Sequence, residues 1–324
     1  MTAATDGQTP GLRAAMPALL ALAVGGFTIG TTEFASMGLV PLIADDLAVS
    51  VPTAGHAVTA YAVGVVAGAP TLTVLAARVE RTRLLLILMG MFVIGHVLSA
   101  LAGSMGLLIV ARFLAGLPHG AFFGVGAVVG AAVAGPQNRG KAIGMMMAGL
   151  TIANMIGVPL TTRVGQLWGW RATFWIVAVL ALLTMLALWR LVPRGAGGEG
   201  SSVRDEVRAL RNGPLWIAFA AGAIGFGGLF AVYTYVAPLV TEVGGMADSS
   251  VPLVMGLFGL AMTVGVFFGG RLVDRGVLRT VVLGFVSTLL ALVLLGATGS
   301  APVMLVVGLV ALGVTSQVLG LAMQ

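Results

Sequence analysis

Apolar residues run along this chain in long unbroken stretches rather than alternating with polar ones, the pattern of helices immersed in lipid or buried on every side. Crossing a bilayer core takes about 20 predominantly apolar residues. Ten stretches meet that test: 16–44, 54–77, 84–103, 106–134, 142–166, 171–192, 215–241, 251–273, 279–298 and 301–324. None shows the two-residue alternation of a transmembrane barrel, so the chain reads as an all-α polytopic membrane protein. Pro70, Pro118 and Pro159 fall inside stretches, where kinks are expected. The longest polar interval, 193–214, is rich in Gly, Ser and charge and divides six stretches from four. It predicts an N-terminal six-helix bundle over 1–192, a linker over 193–214 and a C-terminal bundle of four helices over 215–324. Within the linker, 203–211 has the pattern of a short amphipathic helix on the membrane surface.

Composition strengthens the membrane reading, since 59% of the 324 residues are apolar and only 9% charged, against about 25% charged in a soluble domain. The net charge of +6 would suggest nucleic acid in a soluble protein, but here the basic residues sit in short loops. With the N-terminus inside, fourteen of the seventeen basic residues fall on the cytoplasmic side: Arg13, Arg78, Arg81, Arg83, Arg139, Lys141, Arg190, Arg194, Arg204, Arg208, Arg211, Arg271, Arg275 and Arg279. Cytoplasmic loops carry such an excess, so the N-terminus is expected in the cytoplasm and a nucleic-acid partner is excluded. The outer loops carry Asp45, Asp46, Glu242 and Asp248 instead. There is no Cys and the three His are scattered, so neither thiolate chemistry nor a metal site is expected. The first stretch is too long for a signal-peptide core and is followed by further spans, which makes it an uncleaved helix.

A repeat underlies the division into halves. Ala60, Gly64 and Gly68 recur every four residues in the second stretch, and Ala261, Gly265 and Gly269 do so in the eighth, 201 positions later. At a shift of 197, Gly25, Gly30, Pro41 and Leu42 fall on Gly222, Gly227, Pro238 and Leu239. Two parallel repeats about an axis along the membrane normal are a transporter architecture, with the binding cavity between the halves.

The motifs point the same way. GTTEF at 30–34, followed by MGLVPLIADDLAVS at 37–50, is similar to the first-helix signature of the major facilitator superfamily's drug:proton antiporter branch, the exporters of sugars, arabinose and chloramphenicol. RFLAGLPHGAFFG at 112–124 resembles that superfamily's fourth-helix motif. The segment 144–171, with Gly157, Pro159 and a closing Gly-Trp-Arg, resembles the antiporter motif, although Leu160, Thr161 and Thr162 interrupt its glycine run. GRLVDRGVLR at 270–279 resembles the cytoplasmic gating loop, which implies gating roles for Asp274 and Arg275, and for Arg78 in the counterpart loop at 73–83. There Ala77 stands where an acid is expected, so Glu80 or another contact must substitute. The resemblance covers essentially the whole chain and implies a bacterial inner-membrane location and a monomer. The family has twelve helices and this chain reaches the tenth. The expectation is a weak or inactive transporter whose second bundle is the less stable.

Two charged residues lie at lipid depth. An intramembrane ionisable group is a functional candidate by default, and Glu33 is the one carboxylate within an apolar stretch. Counted from the outer ends of their stretches at about 1.5 Å per residue, Glu33 lies roughly 16 Å deep and Arg112 roughly 9 Å. A carboxylate that meets a guanidinium in one state and hydrocarbon in the other releases and retakes a proton as the states alternate. Glu33 and Arg112 are therefore the proton-coupling candidates, with a direct or water-linked pair between them; for Arg112 the alternative is snorkelling to the headgroups. Phe27, Thr31, His119, Phe123, Asn154, Phe230 and Tyr233 are candidates for the substrate cavity. For Asn154 and His119, hydrogen bonding between helices or to a carbonyl freed by Pro118 is the competing reading. Small residues at helical spacing allow close backbone approach: Gly64 and Gly68, then Gly116, Gly120 and Gly124, then Gly149, Ala153 and Gly157 beside Pro159, then Gly265 and Gly269.

No catalytic constellation, cofactor motif or phosphate loop is present; GVGAVVG at 124–130 lies in a span with no strand before it. The expected function is proton-coupled export of a small drug-like molecule by alternating access, with lipid, substrate and protons as partners. Sugar or metabolite efflux is the alternative within transport, and a truncated, non-transporting membrane protein the alternative outside it.

Overall fold

A computed structural model describes residues 12–76, 78–198 and 213–323. The expected amphipathic helix at 203–211 and the substituted Ala77 lie outside these. Among the described residues every regular element is helical, as hydrocarbon requires of a chain that must satisfy its own backbone. In order they are α1 (Leu12–Gly38), α2 (Val40–Asp46), α3 (Val51–Leu75), α4 (Arg81–Leu101), α5 (Met105–Ala134), α6 (Arg139–Ile152), α7 (Val158–Trp168), α8 (Trp170–Leu191), α9 (Gly213–Thr234), α10 (Val236–Pro238), α11 (Val251–Val273), α12 (Val277–Thr298) and α13 (Pro302–Ala322). Among the described residues eight helices are long and apolar enough to cross a membrane, and up to ten spans result when two bent pairs are each counted as one.

The bends are where sequence expectation and structure part. The first stretch, 16–44, is not one helix: it breaks at Leu39, and α2 folds back at 119° to α3. The seventh, 215–241, breaks at Tyr235, with a 57° bend into the segment Val236–Val243. Neither pivot is a proline, but each precedes one, Pro41 and Pro238, by two or three residues. Proline suits a first helical turn and restricts the residue before it, so a helix restarts there more readily than it continues. Both pivots adopt bridge-like backbones, φ −100°, ψ −5° at Leu39 and φ −110°, ψ 26° at Tyr235. They lie 196 residues apart, one short of the repeat shift, so the break belongs to the repeat. Pro70 and Pro118 sit within uninterrupted helices. Pro159 is different, because a π turn over Ala153–Gly157 precedes it, so the fifth span is α6, the π turn and α7 in series.

Small residues set the helix crossings. A methyl group at Gly64 would strike the carbonyl of Phe113, one at Gly68 that of Leu117, and one at Gly116 that of Tyr61, so α3 and α5 pack backbone to backbone. Gly149 meets the Ala23 carbonyl across the α1–α6 crossing, and Gly265 that of Val314 across α11 and α13. Gly269 lies against Val318. Gly124 does not share this role: a methyl there meets nothing within 4 Å. The turn between α7 and α8 is made by Gly169 at φ +85°, a left-handed backbone that only glycine adopts without strain.

One apolar core lies within α1–α8, around Leu22, Phe92, Phe122 and Val177. A second joins Phe34, Met37 and Val158 to α9–α13, through Tyr233, Met255, Phe258 and Leu309. This second core is the seam between the two groups of helices. It runs along the second half of α1, the π turn and α7 on one side and along α9, α10 and α11 on the other.

Candidate functional site

Glu33 stands on α1 one residue before the seam. Its carboxylate Oε2 lies 4.0 Å from His119 Nε2 on α5, and its side chain is 22% exposed. His119 Nδ1 is 2.9 Å from the Tyr61 hydroxyl on α3. The Tyr61 ring carries the Arg112 guanidinium, whose Cζ is 4.3 Å from the ring centre, with the Phe174 ring of α8 on another side at 5.1 Å. Arg112 NH1 donates to Thr32 Oγ1 at 3.3 Å, and Thr32 Oγ1 is 2.7 Å from His96 Nε2 on α4. His96 Nδ1 closes the series at 2.8 Å from the Phe92 carbonyl. Four helices thus build one polar network from Glu33 to His96, and α8 adds the Phe174 ring.

The chemistry of the ends fixes the directions in between. A carbonyl only accepts, so His96 Nδ1 carries the proton given to Phe92. A second cation beside the guanidinium, with no carboxylate at hand, would be costly, so the imidazole is neutral and Nε2 accepts from Thr32. Thr32, having donated, receives Arg112. At the other end, when Tyr61 donates to Nδ1, His119 directs its Nε2 proton toward Glu33.

The direct pair expected between Glu33 and Arg112 is not formed. Arg112 is 1% exposed and held by Thr32 and two rings, and no carboxylate among the described residues lies within 4.0 Å. Nor does it reach the headgroups. Its depth did not decide its partner, because Thr32 and Glu33 leave α1 about 100° apart and only Thr32 faces it. The acid faces His119 instead, seven residues and two turns along α5 from Arg112. Three members of the network, Tyr61, Thr32 and His96, were not candidates from sequence. For His96 the signal was present, since it too is an ionisable residue in the middle of a span.

The remaining candidates divide between site and seam. Phe123 lies 5.4 Å from the His119 ring, beside Glu33's partner. Phe27 and Thr31 pack on the π turn at Gly157, and Thr31 donates to the Phe27 carbonyl at 2.8 Å. Asn154, within that turn, directs Nδ2 toward Met262 Sδ at 4.0 Å, and its buried Oδ1 has no partner. Phe230 stacks on Phe34 at 6.0 Å. The Tyr233 ring is buried in the seam, 4.2 Å from Phe258 and 5.6 Å from Phe34. Arg78, Asp274 and Arg275 are exposed and form no ion pair with one another.

The seam closes at the end where α1 finishes. Thr162 reaches Met255 Sδ at 3.6 Å, and Gln166 Nε2 donates to the Asp248 carbonyl at 2.7 Å. Beyond it a cavity of about 370 Å³ is lined from both sides, by Pro41, Arg163 and Gln166 and by Thr241, Asp248 and Ser249. At the opposite end, Glu80 accepts from the Gly195 N–H at 2.6 Å and Thr82 donates to the Pro193 carbonyl at 3.1 Å, fastening the start of the interval after α8 to α4.

Two groups of membrane helices closed on an apolar seam, with ionisable groups beside it, define the class: a multi-pass transporter fold. The Major Facilitator Superfamily model matches residues 22–324, and the chain belongs to that family. It is 40% identical to the inner membrane transport protein YdhP of Escherichia coli (strain K12) over 276 residues, 85% of this chain and 71% of the relative. It is 36% identical to a chloramphenicol resistance protein of Streptomyces lividans over 261 residues, 79% of this chain and 67% of that protein. Among solved structures it resembles the xylose transporter XylE from E. coli in a partially occluded inward-open conformation. That match has a TM-score of 0.74 at 18% identity and covers 96% of this chain and 84% of the other.

Proposed function

We propose that this chain is a proton-coupled exporter of a small organic molecule in the bacterial inner membrane, with Glu33 as the proton carrier. The observation that carries the reading is the placement of Glu33. It is the more exposed end of a largely buried network of ionisable groups, and its neighbour Phe34 is part of the seam. An acid so placed is partly exposed on one side and felt by the seam on the other. Protonated, Glu33 is neutral and leaves the apolar seam free to part; ionised, it attracts the His119 proton and holds α1 to α5. The positive-inside distribution of Lys and Arg supports a reading in which the closed end of the seam faces outward. Interval 193–214 serves as the linker between the halves. The direction of transport rests on the relative named for chloramphenicol resistance, and chloramphenicol is the first probe to use.

The test is transport in proteoliposomes. Wild type is expected to accumulate labelled chloramphenicol against its gradient when a pH gradient is imposed, and Glu33→Gln to lose this while keeping chloramphenicol exchange at zero gradient. Gln preserves shape and hydrogen bonding but cannot carry a proton. Accumulation by Glu33→Gln at the wild-type rate would remove Glu33 from the mechanism. Competition by sugars in place of chloramphenicol would move the substrate class to sugars.

A further inference from the structure

The geometry points to His96, acting through Thr32, as the positioning residue that keeps Arg112 parked on Tyr61 and away from Glu33. This rests on the proposed role of Glu33 and adds a function for a buried pair that touches neither substrate nor proton carrier. Arg112 is a cation at lipid depth with no carboxylate partner and with an unpartnered Nε. Such a charge moves to the nearest acid unless something holds it. What holds it is directional. Thr32 Oγ1 faces NH1 because its own proton is committed to His96 Nε2, which sets the rotamer of the hydroxyl, and that nitrogen accepts because Nδ1 is committed to Phe92. With His96 replaced by an apolar residue, the Thr32 hydroxyl turns to its own helix, as Thr28, Thr31 and Ser36 on the same helix already do. The guanidinium then keeps only ring contacts and is free to swing past Tyr61 toward Glu33. The titratable or charged groups meeting here are Glu33 from α1, Tyr61 from α3, His96 from α4 and Arg112 and His119 from α5; α8 contributes only the Phe174 ring.

The test reads the Glu33 carboxyl directly and needs no substrate. Infrared difference spectra of the purified 324-residue protein, titrated across neutral pH, are compared with those of Glu33→Gln, and the protonated-carboxyl band missing from the variant is assigned to Glu33. His96→Leu and Thr32→Val are each expected to move the midpoint of that band to lower pH by about one unit, because an approaching guanidinium favours the carboxylate. His96→Gln is expected to restore the wild-type midpoint, because its amide can both accept from Thr32 and donate to Phe92, and Thr32→Ser to restore it by supplying a hydroxyl. The double variant Thr32→Val with His96→Leu should shift no further than either single one, as expected for residues acting as one unit. Thr32→Val nearly preserves volume and keeps the experiment decisive if His96→Leu does not fold. A Glu33 band whose midpoint is unmoved in Thr32→Val, or shifts that add in the double variant, overturns the positioning role and leaves the Glu33 proposal standing. Absence of any titrating band that Glu33→Gln removes overturns both.

Discussion

The two groups of helices bury their polar side chains in opposite ways. In α1–α8 the buried groups reach across helices: Thr28 meets Thr184 at 3.0 Å, Thr173 donates to the Thr161 carbonyl at 2.8 Å, and Thr32, His96 and Arg112 join α1, α4 and α5. Among the described residues of α9–α13, Thr280 and Ser316 bond back to their own helices, at 2.8 Å to Gly276 and 2.7 Å to Leu312, and the Thr288 hydroxyl has no partner. The first group is fixed by directional bonds that permit one rotation of each helix. The second rests mainly on surface fit among the described residues, through contacts such as Gly284 on Leu319 and Gly308 on Leu295. Hydrocarbon supplies no drive for helices to associate, so close packing and interhelical hydrogen bonds are what remain. A group with both is a rigid frame for the buried network around Arg112, and a group that relies more on packing is the more readily displaced partner.

The comparison breaks most visibly if the small-residue crossings are filled. Gly149→Leu and Gly265→Leu each drive a side chain into a backbone carbonyl, of Ala23 and of Val314. Overpacking of this kind costs about 1–3 kcal/mol and more where backbone must move. Both variants are expected to lower the melting temperature in detergent by many degrees, and Gly265→Leu by more, since no cross-helix bond among the described residues holds α11 to α13. Gly124→Leu, which points into open space, serves as the control. Equal melting of all three would show that the crossings are not what holds the helices.

A single substitution made in both groups sharpens the contrast. Thr32→Val removes a hydroxyl that holds two partners, and leaves His96 Nε2 buried without a donor; about 1–3 kcal/mol of stability should be lost. Thr288→Val removes a hydroxyl that has no partner, leaves shape unchanged, and should stabilise by about 1 kcal/mol. Urea or thermal unfolding measures both. Destabilisation by Thr288→Val would mean that the second group has a polar contact of its own and that the contrast is weaker than drawn.

Much of this architecture is legible in the sequence because lipid imposes a one-dimensional rule. Length and apolarity place the spans, and glycines four residues apart mark faces of close packing, which the structure pairs as the α3–α5 and α11–α13 crossings. Rotation about each helix axis is not legible in the same way. The depth of Arg112 could be counted, but not that it turns to Thr32 rather than Glu33, since adjacent residues on α1 face about 100° apart. Tyr233 reads as cavity lining by type and lies buried against Phe258 for the same reason. The breaks at Leu39 and Tyr235 escaped because the pivot residues are ordinary ones and the responsible prolines stand downstream, inside runs that remain apolar. Gly124 shows the converse, a residue at the right spacing that the helix carries to an open face.

The smallest expected effect concerns a clamp on the rim of the first group. Arg171 NH1 lies 2.6 Å from Asp46 Oδ2, Trp170 Nε1 donates to the same oxygen at 3.2 Å, and Arg171 NH2 donates to the Ala102 carbonyl at 2.9 Å. One guanidinium thereby ties α2, the end of α4 and the start of α8, and it lies 4.2 Å over the Trp170 ring. The hydrogen bond from Arg171, with that from Trp170 and the nearby positive charge, holds the Asp46 carboxyl below its ordinary range. A carboxyl lowered in the folded state contributes its stability above its unfolded pKa and loses it as the pH falls through the folded value. The clamp is therefore complete at neutral pH and released in acid. Because the Arg171 and Asp46 side chains are 35% and 44% exposed, the pair ranks with surface ion pairs, about 0.2–1 kcal/mol. Asp46→Asn is expected to lower the neutral melting temperature slightly, and wild type and variant should converge only in strong acid, once the pH has fallen through the lowered folded-state pKa and the carboxyl is protonated in both folded and unfolded wild type. A gap between the two that persists undiminished in acid would show that Asp46 acts through its shape and the Trp170 bond, and that charge plays no part in holding this rim.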